Sequence, residues 1–179
     1  FFGPPRGPQA LPGRYTVRLT TPSGREETTV EVRLDPAIET PVAALREQFD
    51  TAIRLRDMQS VMNDTLRAMD VLRSQLDGRK RTLETEGAEQ RAAQIKQVNT
   101  EIAQLDSVLA TIARPPGRPF WSEGPRISER LGALLFGIDA ANRAPTKHQV
   151  SLLGELRTEF DAALRAVSAF LNRTRVAMN

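Results

Sequence analysis

The stretch PVAALREQFDTAIRLRDMQSVMNDTLRAMDVLRSQLDG, residues 41–78, decides the fold. Leu45, Phe49, Ala52, Leu55, Met58, Met62, Leu66, Met69, Leu72 and Leu76 recur at steps of three or four, the spacing that gathers side chains on one face of an α-helix. Thr40 and Pro41 offer an N-cap and a first-turn proline, and Gly78 offers a terminator, so the pattern predicts one helix over 41–77, about 55 Å long. Met58, Met62 and Met69 lie on the inward stripe, where unbranched thioethers fill core gaps. An apolar stripe of this length needs other helices to cover it.

Three further segments answer that need. Ile95, Val98, Ile102, Leu105, Leu109 and Ile112 mark a helix over 88–113, joined to the first by the charged run RKRTLETEG, as in an antiparallel helical hairpin. After the Pro/Gly-rich crossover RPPGRPFWSEGPR, residues 114–126, Leu131, Leu134, Leu135 and Ile138 mark a short helix over 128–140. Thr146 and Gln149 form a capping box that opens a last helix over 147–177, striped by Val150, Leu153, Leu156, Phe160, Ala163, Val167 and Phe170. The fold class is mainly α, an elongated four-helix bundle.

Ahead of the helices the period changes. In RYTVRLTTPSGREETTVEVRLDP, residues 14–36, Tyr15, Val17 and Leu19 alternate with Thr16, Arg18 and Thr20, and Thr28, Val30, Val32 and Leu34 alternate with Thr29, Glu31 and Arg33. TPSG between them suits a type I turn. This is one β-hairpin, and two strands alone are marginal in water. Either the helices cover its apolar face or further strands do, in which case the chain is the end of something larger. Residues 1–13, with four prolines and three glycines, read as a linker or irregular edge segment.

Composition narrows the chemistry. There is no cysteine, which removes disulfides, thiolate metal sites and cysteine nucleophiles. Lys and Arg exceed Asp and Glu by 25 − 22 = 3, but acids and bases interleave without forming a basic stripe, which argues against nucleic acid as a partner. No apolar run reaches the roughly 20 residues of a membrane span, and the opening FFGPPRGPQALPG is no export signal, so any such signal is expected upstream of Phe1.

Catalytic constellations are thin. His148 is the only histidine, too few for a Glu-x-x-His di-iron bundle, and it falls in the first turn of a helix where a solvated polar residue is ordinary. Asp57 and Asp64, Glu84 and Glu86, and Glu159 and Asp161 are the paired acids that glycosidase or hard-cation chemistry would use, yet nearly all have Arg or Lys three or four residues away, which reads as a solvated helix face. Neither G-x-G-x-x-G nor a phosphate-cradling G-x-x-x-x-G-K occurs. No catalytic, metal or cofactor-binding residue is assigned, and no cofactor is expected. The candidate partner-binding residues are Phe120 and Trp121, an aromatic pair on the crossover that either anchors a ligand or caps the bundle.

The run GPQALPGRYTVRLTTPSGREETTVEVRLDP with its long helix, together with LFGIDAANRAPTKHQ, resembles the C-terminal region of exported bacterial proteins that carry sortilin-like, Asp-box β-propellers. There a Pro-Gly-x-Tyr-x-Val-x-Leu strand closes an Ig-like domain after the propeller, and helices follow. The Asp-box signature S-x-D-x-G-x-x-W is absent, so no ligand residue carries over. The resemblance implies that the hairpin ends an Ig-like sheet begun upstream and that the chain is a non-catalytic accessory module of a larger exported protein, periplasmic or extracellular. Its partners are then other domains or copies of that protein. Two rival readings stand beside it: a self-contained helical-bundle binder using Phe120 and Trp121, and an accessory part of a hydrolase whose active site lies upstream.

Overall fold

The apolar stripe forms a single helix that runs further than its spacing predicts. The computed structural model describes residues 7–177, apart from Ala88, Gln90, Pro116, Phe120 and Ser122. Its elements are β1 (Gly13–Thr21), β2 (Gly24–Val32), α1 (Val42–Thr85), α2 (Ala92–Ile112), α3 (Ile127–Asp139) and α4 (Lys147–Ala177). The chain is therefore mainly helical, a four-helix bundle preceded by an antiparallel hairpin.

The expected stop at residue 77 is corrected: α1 passes through Gly78 to Thr85, for a length of about 66 Å. Two contributions outweigh the roughly 1 kcal/mol that a helix-interior glycine costs. Leu83 extends the buried stripe seven residues beyond Leu76, and Lys80 pairs with Glu84 one turn later at 3.9 Å. Thr40 does not cap α1 either. Pro41 occupies the N-cap position, and the Thr40 hydroxyl instead donates to the Asn142 carbonyl oxygen at 2.6 Å. The second helix begins at Ala92 rather than 88, because Gly87 adopts φ +122, a left-handed turn that glycine enters without a Cβ clash.

No partner helix matches α1 in length, so α2 and α3 divide it between them, with α4 returning across both. Arg73 of α1 meets Asp106 of α2 at 2.9 Å. Gln48 near the start of α1 reaches the end of α3, while Gln59 lies against Gly132 near the start of α3, so α3 runs antiparallel to α1. Arg130 of α3 pairs with Glu159 of α4 at 2.6 Å.

One core runs the length of this arrangement. Leu55, Met62, Met69, Leu76, Leu105, Ile112, Leu131, Ile138, Leu156 and Phe170 are all fully buried. The Thr146–Gln149 capping box is present in both directions, with Thr146 N donating to Gln149 Oε1 at 2.9 Å and Gln149 N donating to Thr146 Oγ1 at 3.2 Å. Val150, assigned to the last stripe by spacing, is exposed one residue beyond that box. None of the described helices is long and apolar enough to cross a membrane.

Gly78 and Gly154 lie inside helices, and a methyl group at either would meet nothing within 4 Å. Gly78→Ala and Gly154→Ala are each expected to stabilise the protein by about 0.5–1 kcal/mol, and together additively, read as a rise in the denaturant midpoint at constant slope.

Candidate functional site

The hairpin shows what the helices leave undone. Its register pairs Tyr15 with Val30, Val17 with Thr28 and Leu19 with Glu26, and pairs Arg14 with Glu31, Thr16 with Thr29 and Arg18 with Glu27. Since successive side chains alternate between faces, Tyr15, Val17, Leu19, Thr28, Val30 and Val32 share one side. The other side carries charges and hydroxyls, including the Arg18–Glu27 pair at 2.5 Å. The turn is the two-residue link Pro22-Ser23 with no positive φ, compatible with the expected type I geometry.

The bundle does not cover the apolar side. Every residue of both strands is exposed except the half-buried Val32 at the base, and Leu19 stands 62% exposed. At the entrance to β1 the Tyr15 hydroxyl donates to the Leu11 carbonyl oxygen four residues upstream at 2.6 Å. That bond, from a tyrosine near the start of a strand back to the preceding backbone, has the same form as the tyrosine corner described for Ig-like sandwiches.

Beside the base of the hairpin, hydrogen bonds from α1 and from the segment before β1 converge on the end of α3. Gln48 is buried on the inward stripe of α1 and donates to the carbonyl oxygens of Ile138 (2.8 Å) and Asp139 (2.9 Å) at the C-terminus of α3. Gln9 N donates to Asp139 Oδ1 at 2.9 Å, tying the segment before β1 to the same helix end. A cleft of about 260 Å³ opens between them, lined on the hairpin side by Leu11, Val32 and Leu34 and on the helical side by Leu45, Gln48 and Phe49.

The Pro/Gly-rich crossover is organised around Arg114, whose side chain is 10% exposed. Its guanidinium grips both carboxylate oxygens of Glu129 in α3, Nε to Oε1 at 2.8 Å and Nη2 to Oε2 at 3.0 Å, the bidentate geometry that arginine favours. It also donates to the carbonyl oxygens of Pro119 (3.1 Å), Glu123 (3.4 Å) and Gly124 (3.4 Å). Glu123 in turn bridges Arg118 and Arg126. The hydrogen bonds from Arg114 hold the Glu129 carboxyl below the usual carboxylate range against the opposing effect of burial. Partial burial would raise Glu123, but Arg118 and Arg126 outweigh it and hold it low as well.

Trp121 stands on this braced loop 75% exposed. Phe120, its expected partner in the aromatic pair, lies outside the described residues. His148 is exposed in the first turn of α4. Each of the six acids singled out by sequence sits in an ion pair: Asp57 with Arg56, Asp64 with Arg67, Glu84 with Lys80, Glu86 with Arg91, Glu159 with Arg130 and Asp161 with Arg157. Among the described residues no three His, Cys, Asp or Glu side chains group as a metal site would require.

Sequence reasoning missed Gln48 and Arg114. Gln48 was legible in principle, since it lies on the 45–52–55 stripe where only a side chain with a buried polar partner belongs. Arg114 gave no local signal, because its acceptors lie up to 15 residues away. No protein-family model matches the chain, and neither does any curated protein or solved structure.

The lowered Glu129 carboxyl makes a pH prediction. A carboxyl depressed on folding stabilises the protein above its unfolded value, near 4.3, and that contribution is lost as pH falls through the folded value. Because Glu129 is about one-third exposed, its share is expected not to exceed about 1 kcal/mol. Glu129→Gln should flatten the stability profile below about pH 4.5 in denaturant titrations. Arg114→Ala should speed proteolytic cleavage within 114–126 by about tenfold, as local opening of the loop becomes easier.

Proposed function

We propose that this chain is a non-catalytic interaction module of a larger exported bacterial protein, in which the hairpin joins further strands as an Ig-like sandwich and the bundle packs against other domains or copies. The observation that carries this reading is the exposed apolar side formed by Tyr15, Val17, Leu19 and Val30. A soluble chain that forms a ribbon with one charge-paired side and one oily side has a partner surface for the oily side. The Tyr15–Leu11 bond supports a sandwich as that partner, because the tyrosine corner of Ig-like sandwiches sits at the start of the strand before the last one. The resemblance to the end of Asp-box propeller proteins agrees with it, and export follows from that resemblance alone.

A second reading draws on Trp121. The 75% exposure of this tryptophan, on a loop organised around a nearly buried arginine, supports a contact with a partner. On this reading Trp121→Ala abolishes partner capture with little change in the melting temperature. A large loss of stability instead would make the residue structural.

The leading reading is tested with Val17→Lys. In the 179-residue chain the change is expected to shift stability by no more than about 0.5 kcal/mol, since Val17 buries little there. In the polypeptide that includes the residues encoded ahead of Phe1, the same change should leave residues 13–32 open to protease, while the unaltered hairpin resists. Equal protease resistance of the hairpin in the short and long polypeptides would sink the proposal.

A further inference from the structure

Among the described residues no further strand pairs with either edge of the hairpin, and the two edges are not alike. We infer that the next strand joins the free edge of β1 and that β2 remains the outer edge of the sheet. The occupant is a β-strand of the same larger protein, apolar at alternate positions to continue the Tyr15–Val17–Leu19 side and acidic or hydroxyl-bearing beside Arg14 and Arg18. This inference rests on the sandwich reading above and adds to it which edge is extended and by what kind of strand.

Three observations carry it. First, the Tyr15–Leu11 bond matches the form of the tyrosine corner, which in an Ig-like sandwich marks the strand lying between the last strand and a strand from the earlier part of the domain. β2 already occupies the place of the last strand. In the same pattern the residue two positions after the tyrosine points into the core, and here that residue is Val17, on the same side as Tyr15.

Second, β2 carries the marks of a protected edge. Of its nine residues Arg25, Glu26, Glu27 and Glu31 are charged, and Glu26 sits on the apolar side, directly across from Leu19. An inward-pointing charge is one of the devices by which natural sheets block edge-to-edge pairing. β1 has no such residue: its apolar side runs Tyr15, Val17, Leu19 without a charge.

Third, the charges are complementary to one kind of neighbour. β1 holds Arg14 and Arg18 and no acid, and β2 pairs Glu27 with Arg18 while its Glu31, opposite Arg14, pairs with Arg33, whereas β2 has an excess of acids. A strand bearing acids or hydroxyls beside the arginines pairs well with β1, while the same strand beside β2 sets acid against acid. The backbone is ready for it. Thr21 and Gly24 close the two-residue turn as a hydrogen-bonded pair, so alternation turns the N–H and C=O groups of Arg14, Thr16, Arg18 and Thr20 outward along β1, and those of Arg25, Glu27, Thr29 and Glu31 outward along β2.

The test is residue-resolved amide hydrogen exchange on the polypeptide that includes the residues encoded ahead of Phe1. The N–H groups of Arg14, Thr16, Arg18 and Thr20 are expected to exchange at least about a hundredfold more slowly than those of Glu27, Thr29 and Glu31. Thr16→Pro, which removes an outward N–H and leaves the hairpin ladder intact, should erase the slow exchange of Arg14 and Arg18. Thr29→Pro, at the cross-strand partner, should not. Slow exchange on the β2 edge, on both edges, or equal effects of the two prolines overturns the edge assignment. If both edges exchange fast while a Leu19→Cys thiol is shielded from reagent, the sandwich reading survives and the edge assignment fails. If that thiol is also freely reactive, both fail. Protection that vanishes on dilution, with a solution mass of two chains, assigns the edge to a second copy and overturns the proposed occupant.

Discussion

The constraint on which the structure depends is the length of the apolar stripe on α1. From Leu45 to Leu83 it presents a buried side chain at nearly every turn, and a helix of that length is stable in water only if the stripe is covered along its whole extent. No other helix is as long. The chain therefore covers α1 in two pieces, α2 against its later half and α3 against its earlier half, and α4 closes the core over both. The break between the two pieces is what makes the crossover, and the crossover needs its own brace. Arg114 provides it by satisfying three loop carbonyls and a carboxylate from one guanidinium.

The hairpin obeys a different rule. Its polar side is internally complete, with arginine, glutamate and threonine matched across the strands, while its apolar side faces outward. The junction explains why the bundle does not fold over it. Gln48, Thr40 and the Gln9 amide spend their hydrogen bonds on the end of α3 and the loop after it, which fixes the base of the hairpin beside that helix end. The proposed function rests on this division: the helices bury one another's stripes, and the apolar side of the ribbon stays exposed.

Much of this was readable from residue order. The 3.6-residue stripes placed all four helices, the Thr146–Gln149 box set the start of α4 at Lys147, and the period-2 run with Pro22 set the hairpin and its turn. The errors were at ends. Gly78 looked like a terminator because glycine ends many helices, but Leu83 buries enough apolar surface to carry the helix past it. Thr40 looked like a cap because it precedes Pro41, but the Asn142 carbonyl takes its hydroxyl. In each case a contact with a distant residue outweighed a local preference worth about 1 kcal/mol.

The acids show the same limit from the functional side. Spacing of three or four residues accounts for the pairs of Asp64, Glu84 and Asp161, whereas Asp57 pairs with its neighbour Arg56, Glu86 with Arg91 five residues on, and Glu159 with Arg130 of another helix. What residue order alone determined is therefore periodic: which segments are helix, which are strand, and which side of each is oily, because period and polarity are local properties of the chain. Only the tertiary structure decided which oily sides meet one another and which face outward. That outcome turns on where Gln48, Arg114 and the end of α3 place the backbone in space, and hydrogen bonds between residues 15 to 130 positions apart leave no periodic trace.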